Sequence, residues 1–276
     1  MKIQEIKKIL AEAPDEPFVQ SLAADERSGV QKLLQSYYKK KAAEAAEQQR
    51  FQKMLAYEIQ QYAAGAEYIA GVDEAGRGPL AGPLVIAAVI LPQQVFISGL
   101  NDSKQLSAKK RELLYSEIIS KALAISVNIV SISNIDALNI YRATQEGMRQ
   151  TLEHLKIQPQ VALIDAMPVE ANGINCLSLV HGDALSASIA AASVIAKVTR
   201  DRIMDKLALL YPEYGFSGNK GYGSKEHMLA LSAYGATSWH RRSYEPVKSM
   251  QLPPVAQEEN ILYSPLTDDY AYEPQR

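Results

Sequence analysis

The 276 residues hold one cysteine, Cys176, so no internal disulfide braces the fold, and four scattered histidines without cysteine partners offer none of the spacings of a zinc site. A reducing compartment is the expectation. Long apolar runs are missing too: Leu84 to Leu91 has eight residues, far short of the roughly 20 that a membrane-spanning helix requires. The opening Met1-Lys2-Ile3-Gln4-Glu5-Ile6-Lys7-Lys8 mixes charges where a secretory signal has its apolar core, and a cytoplasmic protein without membrane association is expected. An excess of positive charge is also absent. The formal net charge is -2, which by itself speaks against nucleic acid as a partner, because phosphate binding is dominated by Lys and Arg.

What is present is an ordinary globular mixture, 47% hydrophobic and 22% charged, which excludes a fibrous or disordered chain and is long enough for one large core or two smaller ones. The charge is unevenly spread. From Lys197 to Lys248 nine basic residues (Lys197, Arg200, Arg202, Lys206, Lys220, Lys225, Arg241, Arg242, Lys248) face five acidic ones (Asp201, Asp205, Glu213, Glu226, Glu245). Charge alone leaves this segment equally a phosphate-binding surface or a solvated face.

Three regions differ in texture. Residues 1–66 predict a helical accessory domain: Ile3, Ile6 and Leu10 mark a short amphipathic helix. Val30 to about Tyr62, free of both proline and glycine, favours a long helix or a broken helical pair. The run Lys39-Lys40-Lys41 is best read as a solvated helix face. Residues 67–250 alternate strands and helices, which predicts an α/β domain with a mixed sheet flanked by helices. Tyr68 to Val72 reads as a strand delivering Asp73 and Glu74 at its end, and Leu84 to Leu91, between Pro83 and Pro92, as a strand buried on both faces. Further strands are expected at Ala124 to Ile132 and Val161 to Asp165. Ser107 caps a helix to about Leu123, Ser133 with Asp136 forms a capping box for one to about Leu155, and Asp183 opens one from Ala184 to Leu210. Residues 251–276, rich in Pro, Gln and acids, are expected to form a mobile tail.

Two adjacent carboxylates after an apolar strand are costly near a core unless a positive group neutralises them. Asp73 and Glu74 are joined by two further acids at element ends, Asp165 after Val161-Ala162-Leu163-Ile164 and Asp183 after Gly182. Either each acid caps or pairs locally, or the four converge on one sheet edge. Convergence explains all four at once, and oxygen-only ligands suit Mg²⁺ or Mn²⁺. The stretch Gly76-Arg77-Gly78-Pro79-Leu80-Ala81 also matches a dinucleotide fingerprint. An apolar strand follows it where that motif needs a helix N-terminus, and Asp73 and Glu74 would repel a pyrophosphate.

The run Asp73-Glu74-Ala75-Gly76-Arg77-Gly78-Pro79-Leu80-Ala81-Gly82-Pro83 resembles the signature of the ribonuclease HII family. The likeness continues through Asp102-Ser103-Lys104-Gln105-Leu106-Ser107, Leu163-Ile164-Asp165-Ala166, Gly182-Asp183, Ala190 to Asp201, Lys220-Gly221-Tyr222-Gly223 and His240-Arg241-Arg242-Ser243-Tyr244. It spans roughly residues 67–248. The resemblance implies a ribonuclease H-like fold and four metal-binding catalytic carboxylates, Asp73, Glu74, Asp165 and Asp183, holding two Mn²⁺ or Mg²⁺ ions. It implies that Gly76, Arg77 and Gly78 contact the ribonucleotide at an RNA-to-DNA junction and that Tyr222 stacks on the deoxyribose beyond it. Ser103 and Lys104 resemble phosphate-contacting positions, and Lys197 and Arg200, at i, i+3 on one helix face, are candidate substrate contacts or salt-bridge partners of Asp201. His181 stands where the family commonly has Lys. An intact Gly-Arg-Gly separates type HII from type HIII.

The implied partners are RNA-DNA hybrids and DNA duplexes containing ribonucleotides, and the implied reaction is two-metal phosphodiester hydrolysis by a monomer. A nucleic-acid-binding module with an inactive site, a nicotinamide-dependent oxidoreductase and a small-molecule phosphatase are the readings it competes with.

Overall fold

Aliphatic content decides where each part of the chain packs. The computed structural model describes residues 1–12, 14–250, 252 and 258–266, and the chain divides into two units, Met1–Gln52 and Lys53–Arg276. In the first, α1 (Ile3–Ala11), α2 (Glu16–Ser21), the 3-10 turn Leu22–Ala24 and α3 (Ser28–Met54) supply a small core of Ile6, Val19, Leu22, Val30 and Leu34. Asp15 caps α2 by accepting from the Phe18 N–H, and Pro17 sits in the first turn, where a missing N–H costs nothing. Lys40 and Lys41 reach Glu44 at 3.8 and 3.3 Å, an ion-paired, solvated face.

The second unit runs α4 (Ala56–Ala63), β1 (Ile69–Ala75), β2 (Leu84–Ile90), α5 (Ala108–Lys121), β3 (Ala124–Val130), α6 (Ile132–Leu138), α7 (Ile140–Glu153), β4 (Val161–Asp165), β5 (Asn175–Leu179), α8 (Gly182–Leu185), α9 (Ala187–Leu210), α10 (Phe216–Asn219), α11 (Lys225–Tyr234) and β6 (Ile261–Tyr263). The strands form one sheet in the order β5-β4-β1-β2-β3-β6. β1, β2 and β3 pair antiparallel in succession, β4 and β5 run parallel to β1, and β6 pairs antiparallel with β3. This is the mixed sheet with flanking helices that the sequence predicts.

β2 is buried on both faces because both are covered by helices. Leu84, Ile86, Ala88 and Ile90 pack with Ala70 and Val72 of β1 and with Ala143, Met148 and Leu152 of α7. The alternate residues of β1 turn the other way, where Ile69 packs with Ile189 of α9. Gly71 is the point of closest approach: a Cβ there would lie 2.0 Å from the Ser188 carbonyl carbon, so only glycine lets the α9 backbone rest on β1.

Two helix starts differ from expectation. Ser131, not Ser133, caps α6 by accepting from the Asn134 N–H. The helix then breaks at Asn139 (φ +66°), whose side chain accepts from the Tyr141 and Arg142 N–H groups to start α7. Asp136 forms no capping box; its carboxylate takes bonds from the Arg242 and Ser243 N–H groups and the Ser243 hydroxyl. Likewise Asp183 lies inside the single turn of α8, and an extended Ser186 separates that turn from α9 and caps it by accepting from the Ile189 N–H. A hydroxyl or carboxylate near a helix start does not say which of several candidates takes the cap. Beyond residue 250, Ile261–Tyr263 add β6 to the sheet; the expectation of a mobile tail falls partly on 251, 253–257 and 267–276, outside the described residues.

Glu58 of α4 is 1% exposed, and its Oε1 accepts from the Ser186 hydroxyl at 2.6 Å and the Ser188 N–H at 2.9 Å. It therefore clamps the break between α8 and α9. Glu58→Ala strands two buried donors and is expected to lower stability by about 1–3 kcal/mol, read as a shift in urea midpoint. Glu58→Gln, which keeps an acceptor oxygen, is expected to lose less. Equal midpoints for Glu58→Ala and wild type would show that the clamp carries no weight.

Candidate metal and nucleic-acid site

The parallel pairing of β1 with β4 ends at Val72↔Ile164, and the next residue of each strand is an aspartate, Asp73 and Asp165. Period-two alternation puts both on the α9 side with Ile69, Val161 and Leu163. Asp183 joins them from α8, and the Gly182 N–H beside it donates to Asp165 Oδ1 at 2.7 Å. Ligand oxygens of Asp73, Asp165 and Asp183 lie within 4.8 Å of one another.

Glu74 is not part of that trio. β1 does not end at Asp73, as the sequence suggests; its pairing with β2 continues through Asp73↔Ala87, Glu74↔Ile86 and Ala75↔Val85. Adjacent strand residues point to opposite faces, so Glu74 leaves the α9 side, and its Oε1 lies 3.6 Å from the Arg77 guanidinium. It stays near enough to Asp165 for the two charges to repel.

Burial dominates the electrostatics. Asp73, 3% exposed, is pushed well above the ordinary carboxylate range by desolvation and then by the charges of Glu74 and Asp165. Burial raises Glu74 to about 6, with Arg77 opposing. Asp183 is raised by burial and by the neighbouring charges of Asp102 and Asp165. Asp102, which sequence reasoning passed over, therefore belongs to the acidic patch; its Oδ1 also accepts from the Lys104 N–H. The Lys104 ammonium, exposed, lies 3.8 Å from Asp183. Burial works against its charge, but the surrounding carboxylates outweigh that and hold its pKa above the ordinary value.

Such a cluster cannot ionise fully without a cation. Its donors are all carboxylate oxygens, and their spread is close to the roughly 4 Å that separates opposite ligands around an octahedral ion with bonds of about 2.1 Å. The residues fit a hard divalent metal.

Ser103 is buried rather than offered to a ligand, with its hydroxyl 2.8 Å from that of Ser193, and Ser193 in turn supports the ionised form of Asp73. Lys197 bonds Asp201 at 2.6 Å, the salt-bridge alternative. Arg200 fits neither sequence reading: it is 1% exposed and donates to the carbonyls of Pro83, Lys220 and Ala81, so a substrate contact through that guanidinium would break internal bonds.

The Gly-Arg-Gly loop is held from below by main-chain carbonyls. Buried Arg241 donates to the carbonyls of Gly76, Arg77 and Gly82. Because a trans peptide points its C=O and N–H in opposite directions, the N–H groups of Arg77 and Gly78 face away from Arg241. Gly76 (φ +98°) owes its identity to the arginine packed beneath it, since a Cβ would lie 2.1 Å from Arg200 Nε. Across Gly78, where a Cβ would lie 3.5 Å from the ring, stands Tyr222, 51% exposed. The His-Arg-Arg motif was visible in sequence, but nothing there tells a buried arginine from a surface one.

Comparison with known proteins adds a family. A model of ribonuclease HII matches residues 70–247, and one of the ribonuclease HII N-terminal domain matches residues 2–62. A ribonuclease HII of a Geobacillus species is 48% identical over 250 residues, 90% of each chain. One from Bacillus anthracis is 50% identical over 90% of this chain and 97% of its own. Among solved structures, ribonuclease H2 of Pyrococcus horikoshii aligns with a TM-score of 0.59 and 31% identity, covering 67% of this chain and 97% of that one. Ribonuclease HII of Archaeoglobus fulgidus, solved in a complex with PCNA, aligns at 0.54 with 26% identity, over 69% and 98%.

Asp73, Glu74 and Asp183 all bind protons more tightly in the folded chain than free residues do. Their unfavourable contribution therefore sets in as pH rises through the ordinary carboxylate range near about 4 and is complete only above the raised values, about 6 for Glu74. In EDTA, Asp73→Asn is expected to raise Tm by a few degrees at about pH 7.5, corresponding to on the order of 1 kcal/mol, and by less at about pH 5. Mg²⁺ or Mn²⁺ is expected to stabilise the wild type more than the variant. An EDTA-treated Asp73→Asn protein melting no higher than wild type at neutral pH would sink this account of the cluster.

Proposed function

Because the chain belongs to the ribonuclease HII family, and is thus a metal-dependent ribonuclease H, we propose that it hydrolyses the RNA strand of RNA-DNA hybrids and nicks duplex DNA on the 5′ side of embedded ribonucleotides, leaving 5′-phosphate and 3′-hydroxyl ends. The observation that carries the reading is the meeting of Asp73, Asp165 and Asp183 within 4.8 Å beside β1, the strand that leads directly into the Gly-Arg-Gly loop.

Asp73, Glu74, Asp165 and Asp183 would hold two Mn²⁺ or Mg²⁺ ions, which when bound would supply an activated water and positive charge for the leaving 3′-oxygen. Asp73, the most buried of the four, lies within reach of the charges of Glu74 and Asp165, so negative charge is concentrated where a divalent ion is most strongly attracted. Glu74 reaches the same region by giving up its partial pairing with Arg77. Lys104 meets a phosphate from its exposed position beside Asp183, with Ser103 setting the base of its turn.

The outward N–H groups of Arg77 and Gly78 bind the adjoining phosphate and the ribose 2′-OH, the group that separates RNA from DNA, and the Gly76 carbonyl is held back by Arg241. Tyr222 stacks on the sugar beyond the junction. Lys197 and Arg200 act from beneath, by fixing α9 and the loops it carries. In this reading residues 67–250 are the catalytic domain, residues 1–66 a helical accessory domain and residues 251–276 a tail, and the protein works as a monomer in the cytoplasm.

The test is cleavage of a DNA duplex carrying one ribonucleotide, with Mg²⁺ or Mn²⁺ and with EDTA. A single nick 5′ of the ribonucleotide, abolished by EDTA and reduced about 10³-fold or more in Asp73→Asn, is expected. Near-wild-type cleavage by Asp73→Asn, or no nick with either ion, would contradict the proposal.

A further inference from the structure

Beneath the Tyr222 loop lies a pair of histidines that the chemistry above does not use. His227 and His240 are both fully buried, their Nε2 atoms 3.0 Å apart. Tyr214 and Phe216 wall them in: Phe216 meets the His227 ring edge-on at 5.3 Å, and Tyr214 lies 5.1 Å from the His240 ring. The partners at either end leave no freedom in where the protons sit. A backbone N–H only donates, so the Thr237 N–H, 3.0 Å from His240 Nδ1, makes that nitrogen an acceptor. His240 in its neutral form then carries its proton on Nε2 and donates to His227 Nε2. That leaves the His227 proton on Nδ1, where it donates to the Tyr222 carbonyl at 2.9 Å, a group that only accepts.

The chain of bonds joins the two halves of the substrate-facing surface. One end is the main chain of Tyr222, whose N–H is also tied to the Asn219 carbonyl. The other end is the segment in which Arg241 follows His240 and holds the Gly76 and Arg77 carbonyls. We propose that the His227–His240 pair is a proton-ordered relay that fixes the position of Tyr222 relative to the Gly-Arg-Gly loop and so sets selectivity for RNA-to-DNA junctions. His227 is a positioning residue, and the inference rests on the junction-nicking reading above. Burial favours the neutral forms it needs: His227 is pushed down by desolvation, and His240 to about 3 by desolvation and by its neighbour.

Two substitutions at one position separate the bonds. An asparagine amide replaces the Nδ1–H donor, whereas a glutamine reaches the Nε2 position instead and abandons the Tyr222 carbonyl. The quantity to measure is the ratio of kcat/KM on a duplex with one ribonucleotide to that on a uniform RNA-DNA hybrid. His227→Gln is expected to lower this ratio roughly tenfold or more, as a misplaced positioning group does, and His227→Asn to restore most of it. In a Tyr222→Ala background, His227→Gln is expected to change the ratio no further, because both act through one side chain.

Long-range ¹H–¹⁵N spectra of the wild type are expected to show His227 as the Nδ1–H and His240 as the Nε2–H tautomer at neutral pH; this measurement needs no variant to fold. A wild type that does not nick the duplex with one ribonucleotide overturns the functional reading, and one that nicks it with no preference over the uniform hybrid overturns the relay. A junction-selective wild type whose ratio is unmoved in His227→Gln, or which shows either histidine cationic or in the other tautomer, overturns the relay alone.

Discussion

Mutual repulsion among Asp73, Asp165 and Asp183 is the constraint around which this molecule is arranged. Three carboxylates gathered within 4.8 Å, two of them buried, would separate in a soft scaffold. Here each is fixed by a different element: β1, β4 and the single turn of α8. The strands are locked by pairing on both sides of β1, and the turn is locked by the Gly182 bond to Asp165 and by Glu58 at Ser186 and Ser188. The scaffold therefore holds an electrostatic conflict that a divalent ion resolves, and affinity for the ion is in part relief of that conflict.

The adjoining substrate surface uses the opposite device. Among the described residues, Arg200 and Arg241 are buried with no carboxylate in ion-pair contact and are satisfied by main-chain carbonyls. Their charge still acts through space, and the carbonyls that Arg241 takes from Gly76 and Arg77 are drawn inward, turning the Arg77 and Gly78 amide hydrogens away from it. A loop with outward N–H groups over buried guanidinium groups is a favourable place for an anion. The net charge of the whole chain says nothing about this, because the charges that matter lie beneath the surface.

Much of this was legible in the sequence. An apolar run ending in an acid occurs twice, before Asp73 and before Asp165, and in a parallel pair that pattern puts both acids on one face of one sheet edge. The mixed sheet follows from the same runs, and the family signature covers the loop. What stayed hidden was long-range packing. Glu58 looks like a solvated acid on an amphipathic helix, and only the docking of α4 on Ser186 buries it. Arg200 looks like one more charge in a basic segment, whereas the glycine at position 76 has no side chain because Arg200 passes beneath it. The exit of Glu74 from the trio depends on how far β1 keeps pairing with β2, which local pattern does not report.

The strand β6 has a bearing on how the chain survives its own synthesis. Its residues pair with Val127, Asn128 and Ile129 of β3, yet they are made long after those partners. Until they arrive, β3 presents an apolar ribbon with unpaired amides and carbonyls, the kind of edge that recruits strands from other chains. Covering the middle of that edge with a late segment of the same polypeptide leaves it open longest in the newly made chain, when partly folded intermediates are most prone to associate.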